Sequence, residues 1–262
     1  MIITSPQNPK IKALVALRRR RDRQEANVML VEGYEELTTA LNSGAWPKEL
    51  YYCPELMADA AQLQLLDRVA GTGALELSRA AFEKAAYREG PDGWLAVFPA
   101  VETRLDRLQL GERPLILVCE AVEKPGNLGA MLRTADAVGA DAVIAPAAVT
   151  DWSNPNIVRA SKGAIFTVPV AEAEPQQLLD WLAARQITLL AATPEATANY
   201  WDVDMTGGVA IAVGAEKQGL SPLLMERAGL KVLIPMQGQI NSLNVATSGA
   251  LLLYEAARQR RS

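Results

Sequence analysis

Six runs of apolar residues dominate the second half of the chain: LILVCE, DAVIAP, FTVPV, ITLLAAT, GVAIAVG and KVLIPM. None alternates between apolar and polar positions, and stretches of helical periodicity separate them. Strands of that kind, buried on both sides, predict a parallel sheet covered on both faces by helices. The first half reads differently. Asn8-Pro9 is an N-cap followed by proline in the first helical position, opening a helix with Ile11, Leu14 and Val15 on one face. VMLVEGYEELTTALNSG reads as a strand and then a helix closed by Gly44, and ELYYC, ALELS and GWLAVF as further strands, with helices over residues 54–70 and 80–87. Residues 1–98 thus form a small α/β domain. Periodicity fails over 99–113, which is expected to be a linker, and 114–262 is the parallel-sheet domain.

Composition narrows the chemistry. The 262 residues contain no histidine, which removes the commonest general base and the commonest transition-metal ligand. Cys53 and Cys119 lie far apart and outside any paired-ligand spacing, so neither a disulfide nor a metal site is expected. The apolar runs fall far short of the roughly 20 residues that cross a bilayer, and MIITSPQNPK lacks the layout of a signal peptide. A cytoplasmic protein with no membrane partner is expected. The formal charge of −4 conceals a basic segment: Lys10, Lys12, Arg18, Arg19, Arg20, Arg21 and Arg23 are opposed locally by Asp22 alone. Such a segment either follows the phosphates of a nucleic acid or is an ordinary solvated helix face.

In open parallel sheets, ligands collect beyond the carboxyl ends of the strands. The loop EKPGNLGAMLRTADAVGAD offers Asn127 as a helix cap and, further along the same helix, Arg133, whose side chain leans back toward the helix start. It suits an anion, although a cap and a surface cation would look the same. It is neither a Walker loop nor G-x-G-x-x-G. In AVGAEKQGLSP, Gly214 and Gly219 bracket Glu216, so the backbone is able to pass close to a ligand. The last loop crowds Met236, Gln237, Gln239, Asn241, Ser242 and Asn244 ahead of an apolar helix. These groups suit a polar heterocycle or hydroxyl, or else simple helix capping.

Together, NLGAMLRTADAVGAD, VGAEKQGLS and IPMQGQINSLNVATSGALLLYE resemble the three signature motifs of the SpoU/TrmH RNA ribose 2'-O-methyltransferases of the SPOUT class. ITSPQNPKIKALVALRRRRDRQEANVMLVEG is similar to the substrate-binding domain of the ribosomal-RNA members. The resemblance implies a deep trefoil knot in the C-terminal domain and a homodimer formed through it. It implies S-adenosylmethionine held near Thr193, Gly214, Ile234, Met236 and Leu243, and 23S ribosomal RNA bound with help from Lys10, Lys12 and Arg18 to Arg21. It casts Arg133 as base or electrostatic stabiliser, Asn127 as orienting the ribose or Arg133, Glu216 as the anchor of the active-site loop, and Ser242 and Asn244 as positioning the nucleotide and Arg133. A non-catalytic RNA-binding or ribosome-assembly factor on the same fold is the alternative.

Overall fold

The computed structural model describes residues 2–215 and 218–261, which form two compact α/β units. The first comprises 1–101 and 151–167, the second 102–150 and 168–262.

The first unit contains β1 (Ile2–Ile3), α1 (Pro9–Ala16), α2 (Arg20–Ala26), β2 (Val28–Glu32), α3 (Tyr34–Asn42), β3 (Glu49–Tyr52), α4 (Ala60–Arg68), β4 (Leu75–Leu77), α5 (Arg79–Ala85) and β5 (Trp94–Pro99). Its mixed sheet runs β1-β4-β3-β5-β2. Asn8 caps α1 as expected, its side chain accepting from the Lys10 N–H at 2.9 Å, and Ile11 and Leu14 enter the core beside Phe82 of α5. The helix expected over 54–70 divides into a 3-10 turn at Pro54–Leu56 and α4, because the Asp59 carboxylate caps a fresh start at Gln62 N (2.9 Å).

The segment 151–167 was expected in the second domain but packs within the first unit. Asp151 accepts two hydrogen bonds, at 3.2 and 3.1 Å, from the buried guanidinium of Arg23. Gly163, at φ +83°, lies so close to α3 that an added Cβ would be 2.8 Å from the Thr39 Cβ. Phe166 meets Phe98 with ring centroids 5.0 Å apart. The segment carries α7 (Pro155–Ala160).

The second unit contains β6 (Leu115–Cys119), α6 (Pro125–Val138), β7 (Ala142–Pro146), β8 (Val170–Ala173), α8 (Pro175–Ala184), β9 (Thr188–Ala192), β10 (Ala198–Asn199), β11 (Val209–Val213), α9 (Pro222–Arg227), β12 (Leu230–Leu233) and α10 (Val245–Arg260). Its sheet has the order β10-β12-β9-β11-β6-β7-β8 and every pairing is parallel, as the unbroken apolar runs imply. The strand expected within FTVPV instead begins at Val170: Pro169 lends its carbonyl to Val143 N–H but has no N–H of its own to continue the ladder. α10 lies on α6, β11 and β6, burying Val245, Gly249, Leu252, Leu253 and Ala256. Among the described residues, no helix is long and apolar enough to cross a membrane.

Candidate functional site

Neighbouring parallel strands finish on the same side of a sheet, so the adjacency of β12, β9, β11 and β6 has a direct consequence. The loops that follow Leu233, Ala192, Val213 and Cys119 begin side by side. Backbone hydrogen bonds continue past the strands and hold these exits together. Thr193 N–H donates to Val232 O at 2.9 Å, and Glu120 N–H donates to Val213 O at 3.0 Å. Thr193, Gly214, Ile234, Met236 and Leu243 lie on the segments that leave these strands and are all partly buried.

Asn127 does not cap α6. Pro125 occupies the first helical position after Lys124, which puts Asn127 third, inside the first turn. Its Oδ1 instead accepts from Asn244 Nδ2 at 3.3 Å, which joins the first loop to the third across 117 residues of chain. Asn244 is also the N-cap of α10, its Oδ1 accepting from Ala246 N–H at 2.9 Å. One amide thus serves the capping role and the cross-loop role with different atoms. Arg133 is exposed on α6, on the stripe that carries Gly126 and Gly129. A Cβ added at Gly126 would meet nothing within 4 Å. Helical side chains lean toward the helix start, the end where the helix dipole is positive. Ser242 is exposed in the third loop.

In the second loop, Gly219 N–H donates to Ala215 O at 2.9 Å within an antiparallel bridge. That fold brings Gly219 and Leu220 back against Gly214 so closely that a Cβ at 214 would overlap the Gly219 carbonyl. Glu216 lies outside the described residues. A further carboxylate, Glu120 at the exit of β6, was not singled out in the sequence. It is buried and accepts from Ser221 N–H at 2.6 Å, where Ser221 caps α9. The signal available in the sequence was a lone carboxylate directly after five residues with strand character.

The basic run is divided among several tasks within the first unit. Arg18 donates to Lys84 O (2.9 Å) and to Ala86 O, the carbonyls that end α5. Arg19 pairs with Asp22 (2.5 Å), Arg21 with Glu25 (2.6 Å) and Arg20 with Asp151 (3.7 Å). Lys10 stands 4.0 Å from Glu49, and Lys12 is exposed on α1.

The donor set of the second unit's edge fits S-adenosylmethionine. Strand ends and a glycine turn leave backbone amides and carbonyls along a partly apolar rim, suited to an adenosine with an apolar thioether arm. The tight contact at Gly214 is the kind of close backbone approach that such a cradle requires.

The model of the SpoU rRNA Methylase family matches residues 114–254, and that of the MRM3-like substrate binding domain matches 8–96. The 23S rRNA (guanosine(2553)-2'-O)-methyltransferase RlmP of Bacillus subtilis is 31% identical over 96% of this chain and 97% of its own. The crystal structure of an RNA 2'-O ribose methyltransferase is 40% identical over the whole of both chains, with a TM-score of 0.88. The AdoMet-bound rRNA methyltransferase of Sinorhizobium meliloti is 29% identical over 98% of this chain and 97% of its own, again with a TM-score of 0.88. With the catalytic-domain model covering more than half its length, the chain belongs to the SpoU rRNA methylase family.

Proposed function

We propose that the protein methylates a ribose 2'-hydroxyl of 23S ribosomal RNA with S-adenosylmethionine as donor, in the cytoplasm. The observation that carries this reading is the convergence of the loops at one sheet edge, with Asn244 hydrogen-bonded to Asn127 on the helix that bears Arg133. Thr193, Gly214, Ile234, Met236 and Leu243 hold the cofactor, largely through their backbones. When bound, it supplies a methyl group on a positively charged sulfur.

The ribose 2'-oxygen is a weak nucleophile until its proton is drawn away or its developing charge is stabilised. With no histidine in the chain, Arg133 takes this part. A guanidinium keeps its proton under ordinary conditions, so Arg133 binds the phosphate beside the target ribose and favours the alkoxide electrostatically, with that substrate phosphate as the eventual acceptor of the 2'-hydroxyl proton. Asn127 and Asn244 orient the ribose or Arg133, Ser242 positions the nucleotide, and Glu216 anchors the second loop.

The core-facing stripe of α10 leaves Ala246, Ala250, Leu251 and Tyr254 on other faces, with Tyr254 56% exposed. These residues support a symmetric homodimer through the C-terminal unit, in which α10 is threaded into a trefoil knot. The N-terminal unit supplies RNA affinity through Lys10, Lys12, Arg19, Arg20 and Arg21, while Arg18, held by the carbonyls that end α5, secures the basic segment to the unit. The ion pairs of Arg19 and Arg21 are exposed and therefore weak, so RNA phosphates displace Asp22 and Glu25 at little cost.

The test is transfer of labelled methyl from S-adenosylmethionine to unmodified rRNA, followed by mapping of 2'-O-methylation. A single modified ribose is expected, with R133A slowed about a hundredfold or more at unchanged cofactor affinity. RNA binding without transfer or cofactor affinity would establish the assembly-factor alternative instead.

A further inference from the structure

We infer that Glu120 is a positioning residue for methyl transfer, coupling the loop that carries the cofactor-lining Gly214 to the helix that carries Arg133. The inference rests on the methyltransferase reading above. Glu120 directly follows β6, the strand that leads into α6, and its backbone is held on both sides. Its own N–H donates to Val213 O at 3.0 Å, and the next residue, Ala121, donates to Pro146 O at 3.3 Å. Ala121 sits at φ +50°, a left-handed conformation that a non-glycine residue keeps only where its surroundings impose it. The side chain that emerges from this fixed backbone is 4% exposed, and its Oε2 accepts Ser221 N–H at 2.6 Å.

Ser221 closes the second loop: the Ala215–Gly219 bridge lies just before it and α9 begins just after it. Pulling Ser221 toward β6 presses Gly219 and Leu220 onto Gly214, the close approach that shapes the backbone cradle. A buried carboxylate is costly unless its oxygens are satisfied, so the bond to Ser221 is not readily exchanged for solvent. Glu120 thereby joins the first loop to the second, as Asn244 joins the third to the first. The arrangement of cofactor and guanidinium then depends on a residue that touches neither.

Full-length E120A and E120Q are compared with wild type by calorimetric titration with S-adenosylmethionine, by single-turnover transfer to unmodified rRNA, and by thermal melting. E120A is expected to lose roughly ten- to hundredfold in cofactor affinity, with a slower transfer step. E120Q keeps an acceptor oxygen and is expected to stay within roughly threefold of wild-type affinity. A merely structural carboxylate would lower the melting temperature of E120A and leave cofactor affinity, measured well below the transition, untouched. That outcome overturns the inference, and so does an E120Q as impaired in affinity as E120A. Should E120A not fold, E120D, which withdraws the acceptor by one methylene, replaces it in the same comparison. A wild-type protein that neither binds the cofactor nor transfers methyl sinks the methyltransferase reading itself, which separates that failure from a failure of Glu120 alone.

Discussion

Gly214 has no room for a side chain, and its constraint is of a different kind from that of the turn glycines with positive φ. A methyl group there would overlap the Gly219 backbone, which cannot swing away as a side-chain tip would. G214A is therefore expected to cost about 1–3 kcal/mol in stability and to abolish detectable S-adenosylmethionine binding, as read by denaturant melts and calorimetry. Native affinity in G214A would show that the cradle is not where the cofactor lies. A second expectation concerns charge in the first unit. Burial raises the pKa of Glu32, against the lowering effect of the N–H groups of Tyr87 and Arg88 that it accepts. A carboxyl whose folded pKa exceeds its unfolded one favours folding most when protonated, and that advantage fades as pH rises from the ordinary value toward the raised one. E32Q keeps an acceptor without the charge, so it should be more stable than wild type at pH 7, with the difference vanishing at acid pH in urea titrations.

At the level of elements, the third loop and α10 meet in Asn244. N244A removes both the cap and the bond to Asn127, whereas N244D keeps a capping oxygen but offers no N–H to Asn127. Loss of the cap costs about 1 kcal/mol, equivalent to a fall of about 2–4 °C in Tm for a chain of this size. N244A should show that fall and N244D should not, while both lose methyl transfer; a fully active N244D would reduce Asn244 to a cap. The sheet of the second unit was legible because strands buried on both faces are written as continuous apolar runs. β1 and β10 were not, being two residues each and defined by their partners rather than by their own pattern. Among site residues, Asn127 could be read as polar and loop-borne, but its position inside α6 and its bond to Asn244 depend on a partner 117 residues away. The arginines of the basic run were visible as charge, while the capture of Arg18 by the end of α5 depends on the fold of residues 66 and 68 positions further along.

For the molecule as a whole, the assignment of 151–167 to the first unit was hidden from local pattern, since Asp151 and Arg23 stand 128 residues apart. Removing one partner of a buried ion pair costs about 3–5 kcal/mol, a large share of the stability of a small domain. Residues 1–101 alone should therefore unfold without a sharp transition, and joining 151–167 to them through a short linker should restore cooperativity in thermal melts. A sharp transition in the shorter fragment would show the excursion to be dispensable. The same connectivity has the chain pass from one unit to the other three times, near 101, 150 and 167. A single proteolytic nick at any of these crossings therefore releases neither unit whole on its own, since each cut leaves part of one unit on the fragment that carries the other. A chimera built to exchange RNA specificity with a relative must likewise graft two separate gene segments, because a simple front-half swap would hand the recipient an N-terminal unit whose last helix belongs to someone else.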